Sequence, residues 1–214
     1  MTEESRLPNW LKELYYIAPM ENLESICRLG ILCYKEARRI PHLSVASEEV
    51  QSIRKCKTVP GGKPLHHYAN LYLNPRNPML FKIISDEPGK KARIAIIGID
   101  PNIIFSQGTV ITDGNAASEA TRFYPSPSGL AELEPKRTRI FMKYWIATGN
   151  PARESENKRL QCAEVLVPDR VPPEYLRHLY LASEDVAASV RKLYSQQIGS
   201  LNLQVVVKPY YFFE

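Results

Sequence analysis

Runs of apolar residues, separated by polar stretches, give the first expectations for the structure of this chain. Residues 14–17 (LYYI) predict a short strand, and residues 91–100 (KARIAIIGID) predict a longer strand with an aliphatic centre. Leu23 and Ile26 fall on one face of a helix, and Gly30 follows where a helix commonly ends. The first part of the chain therefore predicts a strand that leads into a helix.

Two more helices and several short strands are predicted further along the chain. Ser47 is a suitable N-cap for a helix over 47–56, and Ser183 for a helix in which Val186 and Val190 recur at helical spacing. Residues 113–157 show little periodicity, and loops of that length are usually functional. The remaining strands are predicted over residues 70–74, 108–112, 160–168, 178–182 and 203–213. Short strands and few helices in irregular order predict an α+β fold.

Composition sets limits on the class of protein. The 214 residues include 44% hydrophobic and 24% charged residues, which is typical of a globular protein. The sequence contains no repeat and no long linker, so a single domain over 1–214 is predicted. We expect a cytoplasmic protein without a membrane segment, because no apolar run is long enough to span a bilayer and residues 1–10 do not form a signal peptide. The four cysteines contain no CxxC pair, so no metal site is expected.

The distribution of positive charge indicates nucleic acid as a binding partner. The net charge is +5, and residues 54–63 carry four cations and no acidic residue. Residues 135–145 also carry four cations, interleaved with aromatic residues. Cations follow a phosphate backbone and aromatic rings stack on bases, so this mixture is suited to single-stranded nucleic acid. A solvated cationic face over core aromatics explains the same pattern, and the residues alone leave both interpretations open.

One carboxylate interrupts an apolar run. Glu164 is the only charged residue in 160–168 (LQCAEVLVP), which otherwise predicts a buried strand. Desolvating a carboxylate is costly, so such a residue has a salt-bridge partner or a chemical task. The sequence contains no Rossmann glycine motif, P-loop or HExxH motif. Nothing near Cys162 supports a cysteine nucleophile paired with a histidine.

Three stretches together resemble a known family. They are LYYIAPMENLESICRLGIL, SEEVQSIRKCKTVPGGKPLHHYANLYLNPRNPML and CAEVLVP, in this order over residues 14–168. They are similar to the DarT family of bacterial toxins, which transfer ADP-ribose from NAD onto DNA bases and have a macrodomain antitoxin, DarG, as partner. The middle stretch is the most specific of the three.

The resemblance implies an ADP-ribosyltransferase fold, with two small sheets that form a cleft for the co-substrate NAD and helices that flank it. It implies catalytic roles for Glu164, on a central strand, and Arg54, one turn before the VPGG loop. A fixed carboxylate stabilises the positive charge that develops on the ribose when nicotinamide leaves. The planar guanidinium of arginine is suited to a pyrophosphate or a base carbonyl. The NAD-binding residues implied are Tyr16, Ile17, Ala18, Asn22, Arg54, Tyr72 and Met79.

The first strand departs from the family pattern. The best-known members read aromatic-His-Ile-Thr where residues 15–18 read Tyr-Tyr-Ile-Ala. The side-chain roles of that histidine and threonine therefore do not transfer to this chain. We expect the strand backbone and the ring of Tyr16 to hold the nicotinamide instead. The same departure leaves the modified base open between thymine and guanine.

The resemblance and the cationic segments together predict a surface for single-stranded DNA. The residues assigned to it are Lys55, Lys57, His67, Arg76, Arg122, Lys136, Arg137, Arg139, Tyr144 and Trp145. A monomer with a DarG-like antitoxin as partner is expected. Two other classes stay open: an enzyme of the same fold that transfers an RNA phosphate to NAD, with Arg54, Arg76 and Arg122 as phosphate ligands, and a non-catalytic module that binds nucleic acid or a protein partner.

Overall fold

The computed structural model describes residues 7–142 and 149–213, and it contains one large and one small sheet. The large sheet has the strand order β10-β9-β4-β1-β3-β7-β5-β6, and β2 pairs with β8 in the small sheet. The strands are β1 Leu14–Pro19, β2 Ile31–Leu32, β3 Tyr68–Tyr72, β4 Ile94–Ile99, β5 Val110–Thr112, β6 Phe123–Pro125, β7 Glu164–Pro168, β8 Arg170–Val171, β9 Leu176–Leu181 and β10 Gln204–Val207.

Short helices surround the sheets. The α-helices are α1 Leu23–Leu29, α2 Tyr34–Ala37, α3 Glu48–Cys56, α4 Pro78–Asp86, α5 Gly129–Leu133, α6 Arg137–Ile140, α7 Pro151–Gln161, α8 Glu184–Leu193 and α9 Ser195–Leu201. The 3₁₀ helices are Met20–Asn22, Leu65–His67, Pro88–Arg93, Pro101–Phe105, Glu134–Lys136, Pro173–Tyr175 and Pro209–Phe212. Across the described residues, every helix is too short or too polar to cross a bilayer.

The large sheet consists of two halves that are joined at one point. β1 pairs with β4 along its whole length, and β3 pairs with β7 along its whole length. Between the two halves, β1 and β3 form a single pair, Tyr15 with Tyr72. The two strands separate beyond this pair, which opens a cleft in the sheet. The predicted α+β class is confirmed, although the two small sheets expected are in fact the connected halves of one sheet.

Buried strands form the centre of the fold. All six residues of β4 are buried, as its unbroken aliphatic run indicates for a strand that is covered on both faces. α1 packs its apolar face, which includes Leu23 and Ile26, into the same core. Gly30 ends α1 with a φ of 83°, and its N–H donates to the Ile26 carbonyl at 2.8 Å. The predicted strand and helix of the first part of the chain are therefore confirmed.

Three local predictions were incomplete. α4 lies in a stretch for which the apolar pattern predicted no helix, although Asn77 caps it by accepting from Leu80 N–H at 3.0 Å. The strand predicted over 160–168 begins only at Glu164, because Leu160 and Gln161 still belong to α7. Residues 113–157 were predicted as loop but hold several helical segments and one strand.

Candidate active site

A cavity of about 660 Å³ occupies the cleft between β1 and β3. Tyr16 and Ile17 from β1, Tyr72 from β3 and Glu164 from β7 lie on its walls. α3 contributes Arg54, and the segment 40–47 covers one side. The cavity thus lies where the two halves of the sheet separate, and it has the size of a typical small-molecule site.

Glu164 has its partner at the base of this cavity. Its side chain is 1% exposed, and the Arg54 side chain is 6% exposed. Arg54 Nη1 donates to both carboxylate oxygens, at 3.4 Å to Oε1 and 3.2 Å to Oε2. α3 positions the arginine because Arg54 is the one residue of this helix that is buried, while its neighbours face outwards. The pairing explains how a carboxylate is tolerated in an apolar strand.

The loop after β5 fixes Glu164 from its other side. Ala116 N–H donates to Glu164 Oε2 at 3.4 Å. Thr112 Oγ1 accepts from Glu164 N–H at 3.1 Å and donates to Glu164 O at 3.2 Å, so the threonine holds the backbone of the first residue of β7. Both the backbone and the carboxylate of Glu164 are therefore held in place.

Burial determines the electrostatics of the pair. It raises the pKa of Glu164 above its ordinary value, and Arg54 and the Ala116 N–H oppose this rise. Arg54 Nη2 is buried and has no hydrogen-bond partner among the described residues. A buried donor without a partner is costly, and a ligand in the cavity would satisfy it. Nearby, burial and the charge of Glu164 raise the pKa of Cys162 to about 12, so this thiol is neutral and is not a nucleophile at neutral pH.

The predicted NAD-binding residues converge on this cavity with one exception. Tyr16, Ile17, Asn22, Arg54, Tyr72 and Met79 all line it. Tyr72 OH donates to Met79 Sδ at 2.8 Å, which fixes the two side chains against each other. Ala18 is fully buried in the core and is not among the residues that line the cavity, so its short side chain does not reach a ligand there. For Ala18, only the backbone remains available to a ligand.

Asn22 has a second role that the sequence did not indicate. Its Nδ2 donates to the Leu43 carbonyl at 2.8 Å, and its Oδ1 accepts from the Leu43 N–H at 3.0 Å. These two bonds attach the segment 40–47 to the end of the 3₁₀ helix that follows β1. Asn22 therefore holds the covering segment of the cavity in place.

Comparison with known proteins assigns the family. The sequence model of DarT, described as an ssDNA thymidine ADP-ribosyltransferase, matches residues 15–213. The chain belongs to the DarT family. The resemblance found in the sequence is thereby confirmed.

Two sequence matches and one solved structure illustrate the likeness. A DNA ADP-ribosyl transferase–DNA ADP-ribosyl glycohydrolase fusion protein of Thermosipho africanus is 33% identical over 205 residues, covering 94% of this chain and 50% of that protein. This chain thus spans about half the length of the fusion protein. A DNA ADP-ribosyl transferase of Thermus sp. is 28% identical and covers 86% of this chain and 87% of its own length. The structure of Thermus sp. 2.9 DarT in complex with ADP-ribosylated ssDNA has a TM-score of 0.81 at 25% identity, over 96% of this chain and 98% of that one.

The residues predicted to bind DNA fall into separate groups on this DarT-family fold. Lys55 and His67 line a second, smaller cavity beside α2. Lys57 forms an ion pair with Glu119 at 2.9 Å, close to the loop that holds Glu164. Arg122 is exposed and directly precedes β6. Tyr144 and Trp145 lie outside the described residues.

The remaining predicted cations have protein partners. Lys136 Nζ bonds Asp113 at 2.7 Å, Arg137 bonds Glu134 at 3.2 Å, and Arg139 Nε donates to Asn157 at 2.8 Å. Phe141, from the same segment, packs edge-on against Trp10, so this ring belongs to the core. The side chains of Lys136 and Arg139 therefore stabilise the local fold through bonds to Asp113 and Asn157.

Arg76 was assigned to DNA, but its position contradicts that assignment. The residue is 8% exposed, and its guanidinium lies over the rings of Tyr210 and Phe213 at 4.2 Å and 4.4 Å. It also donates to the Tyr210 carbonyl. Arg76 thus attaches the turn at residues 209–213 to the connection between β3 and α4, because a buried guanidinium is stabilised by aromatic faces.

Sequence reasoning missed Asp113, which organises the surroundings of Glu164. Its side chain is 2% exposed and bonds Lys136 at 2.7 Å and Arg159 at 2.6 Å. It also accepts from the Arg122 N–H at 2.9 Å. Asp113 precedes Gly114, a pair that in sequence indicates an ordinary turn, so nothing marked it as special.

Across the described residues no group of three or more His, Cys, Asp or Glu is placed to hold a metal ion.

Proposed function

We propose that this chain transfers the ADP-ribose of NAD onto thymine in single-stranded DNA and releases nicotinamide. The observation that supports this most strongly is the buried Arg54–Glu164 pair at the base of a large cavity, where Arg54 Nη2 has no hydrogen-bond partner among the described residues. The family description names thymidine, which favours thymine over guanine as the acceptor. As the sequence indicates, we take 1–214 as one transferase domain.

The cavity offers NAD three kinds of contact. Tyr16 and Tyr72 supply aromatic surface for the nicotinamide ring. Beyond Tyr15, the edge of β1 that faces the cavity is not paired with β3, so its backbone groups are free to bond the nicotinamide amide. Arg54 Nη2 supplies a charged donor for the pyrophosphate or the ribose.

Glu164 has the chemical part in this proposal. Positive charge develops on the ribose carbon as the bond to nicotinamide breaks, and a carboxylate fixed beside it stabilises that charge. The same carboxylate accepts a hydrogen bond from a ribose hydroxyl or the proton of the attacking base nitrogen. Arg54 and the Ala116 N–H hold the carboxylate before the reaction begins, so little reorganisation is needed when charge develops.

Single-stranded DNA suits the site better than a duplex. A stacked and paired base is out of reach of a buried carboxylate, so duplex DNA would first have to release the base. We place the DNA surface around Lys55, Lys57, His67 and Arg122, which surround the mouth near Arg54 and the loop after β5. Tyr144 and Trp145 remain predicted stacking residues in the segment that precedes α7.

The antitoxin is the proposed macromolecular partner. A Thermosipho africanus relative carries a DNA ADP-ribosyl glycohydrolase on the same chain as its transferase. We propose that a macrodomain of this kind, as in DarG, removes the modification that this chain introduces. The transferase is proposed to act as a monomer in the cytoplasm. Measuring the molecular mass of the protein in solution, alone and mixed with the macrodomain, tests both the monomeric state and the proposed partner.

Transfer from adenine-labelled NAD tests the function. The protein is incubated with single strands that carry one of the four bases in a constant context, with the matching duplexes and with RNA. Label is expected on the single strand that contains thymine and on little else. Label on guanine alone would contradict the base assignment. Loss of an RNA phosphate would support the RNA phosphotransferase alternative, and failure to release nicotinamide in any mixture would support a non-catalytic module.

A further inference from the structure

A cavity of about 430 Å³ beside the active site is lined almost entirely by basic and aromatic residues. It lies between α2 and the 3₁₀ helix Leu65–His67, and the end of α3 closes one side. Its lining residues include Tyr34, Lys35, Arg38, Lys55, His66 and His67. Lys35, Arg38 and Lys55 are exposed and form no ion pair with any described residue.

The cations around this cavity create a positive potential, which lowers the pKa of His66. Burial lowers the pKa of His66, and the charges of Arg54, Arg38 and Lys55 lower it further. The His66 ring lies against the Tyr34 ring with centroids 4.0 Å apart and planes tilted by 32°, so the two rings together form one wall of the cavity. An anion would relieve the repulsion among the three cations, because their fields add in a concave surface.

The cavity is connected to the active site by shared elements. Tyr34 lines both cavities, and Lys55 follows Arg54 directly along α3. Arg54 points inwards to Glu164, while Lys55 points outwards. An anion held beside Lys55 therefore lies one residue along α3 from Arg54 and close to the wall that the two cavities share at Tyr34.

We infer that Lys35, Arg38 and Lys55 form a pocket for one backbone phosphate of the DNA strand, next to the base that Glu164 and Arg54 present for modification. This inference rests on the proposed function. The pocket fixes the register of the strand, because a phosphate held at one point determines which base reaches the carboxylate. NAD is the other source of phosphate, but its own cavity is large enough and carries Arg54 Nη2 as a donor.

The double variant Lys35→Gln/Arg38→Gln tests the inference, with Lys12→Gln/Lys192→Gln as a matched control on exposed sites that line neither cavity. The KM for single-stranded DNA and its dependence on salt are measured, together with the KM for NAD. Thermal melting shows whether each variant is folded. We expect the KM for DNA to rise roughly tenfold. The slope of log KM against log salt concentration should fall by about one for each phosphate that the variant no longer binds. The control should match the wild type.

A chemical change in the DNA supplies a second, independent measurement. Single strands carrying one uncharged methylphosphonate linkage, moved stepwise past the modified base, are compared with the normal strand. At one position, the methylphosphonate is expected to raise the KM of the wild type for DNA about as much as the double substitution does. The double variant acting on that same modified strand should show no further rise. If the effects of the methylphosphonate and of the double substitution on the KM for DNA add up at every position, the inference is wrong. It is also wrong if the double variant raises the KM for NAD and leaves the KM for DNA unchanged. If the wild type modifies no DNA at all, the proposed function itself fails and the inference fails with it.

Discussion

At the scale of single residues, Glu164 and Arg54 depend on each other. Both are buried, and each is the other's counter-charge. Replacing either by alanine leaves an uncompensated charge in the interior, at a cost of about 3–5 kcal/mol. Glu164→Ala is therefore expected to destabilise the fold as well as to remove the carboxylate. Glu164→Gln is the better probe, because its amide oxygen still accepts from Arg54.

The fork of Arg54 is expected to be essential. Nη1 holds Glu164 while Nη2 is left for a ligand, and a lysine ammonium does not offer two donors in a fixed plane. We predict that Arg54→Lys lowers kcat/KM for transfer by at least ~100-fold, nearly as much as Arg54→Ala. Label transfer and thermal melting are measured for both variants. Full activity of the lysine variant would show that the residue acts only as a counter-charge.

The pH dependence follows from the burial of Glu164. Its pKa is raised by burial, and the proposed chemistry needs the ionised form. Activity should therefore be present above this pKa and lost as the pH falls through it. We predict that the acid limb of DNA-independent NAD hydrolysis lies above the ordinary glutamate pKa of about 4.3. An acid limb at or below that value would argue against Glu164 as the titrating group.

At the scale of elements, the loop after β5 and the segment 40–47 give the cavity its shape. The sequence predicted the elements that carry Tyr16, Arg54 and Glu164. Apolar runs indicated the two strands, and the N-cap residue Ser47 indicated the helix. It did not predict how the loops meet them. Asp113 and Leu43 act through contacts with residues far away in the chain, and no local pattern encodes such contacts. α7 escaped prediction because two of its three buried residues, Asn157 and Gln161, are polar, so no apolar stripe marks the helix in the sequence.

Asp113 is predicted to be a positioning residue. Burial would raise its pKa, but hydrogen bonds from Arg159 and Lys136 lower it to about 2. Its ionised form therefore stabilises the fold at neutral pH, and this contribution is lost as the pH falls from about 4 towards 2. Asp113→Asn should lower the free energy of unfolding by about 3 kcal/mol.

The same change should reach Glu164 through the loop that bears the Ala116 N–H. We expect the kcat of Asp113→Asn to fall while the KM for NAD changes little, because the cavity walls stay in place. Arg137→Gln, at an exposed pair in the same region, is the control and should change stability by less than about 0.5 kcal/mol. An Asp113→Asn protein with wild-type melting and kcat would refute the positioning role.

Asn22 is predicted to act on substrate binding through the covering segment. Asn22→Ala removes both hydrogen bonds to Leu43, so the segment 40–47 should loosen and the KM for NAD should rise more than kcat falls. Asn22→Asp keeps the acceptor for the Leu43 N–H and loses the donor, and it should lie between the wild type and the alanine variant. Steady-state kinetics at saturating DNA separate the two constants. Unchanged KM in both variants would mean that the segment does not cover bound NAD.

At the scale of the whole molecule, the fold makes a cleft by separating two halves of one sheet. The single Tyr15–Tyr72 pair keeps the halves together, while the strands beyond it diverge around the cavity. One side of the cleft is closed by the segment 40–47, and the other leads to the basic surface around Lys55. In the proposed reaction, this arrangement brings NAD and the DNA strand to one carboxylate from different directions.

One mass measurement decides whether Glu164 transfers ADP-ribose to thymine. A single-stranded oligonucleotide with one thymine is incubated with NAD and either the wild-type protein or Glu164→Gln. With the wild type, the oligonucleotide is expected to gain one ADP-ribose on the thymine. With Glu164→Gln no gain is expected, although the variant melts cooperatively and still binds NAD. Modification by Glu164→Gln at the wild-type rate would show that Glu164 is not catalytic, and an oligonucleotide that the wild type leaves unmodified would refute the proposed function.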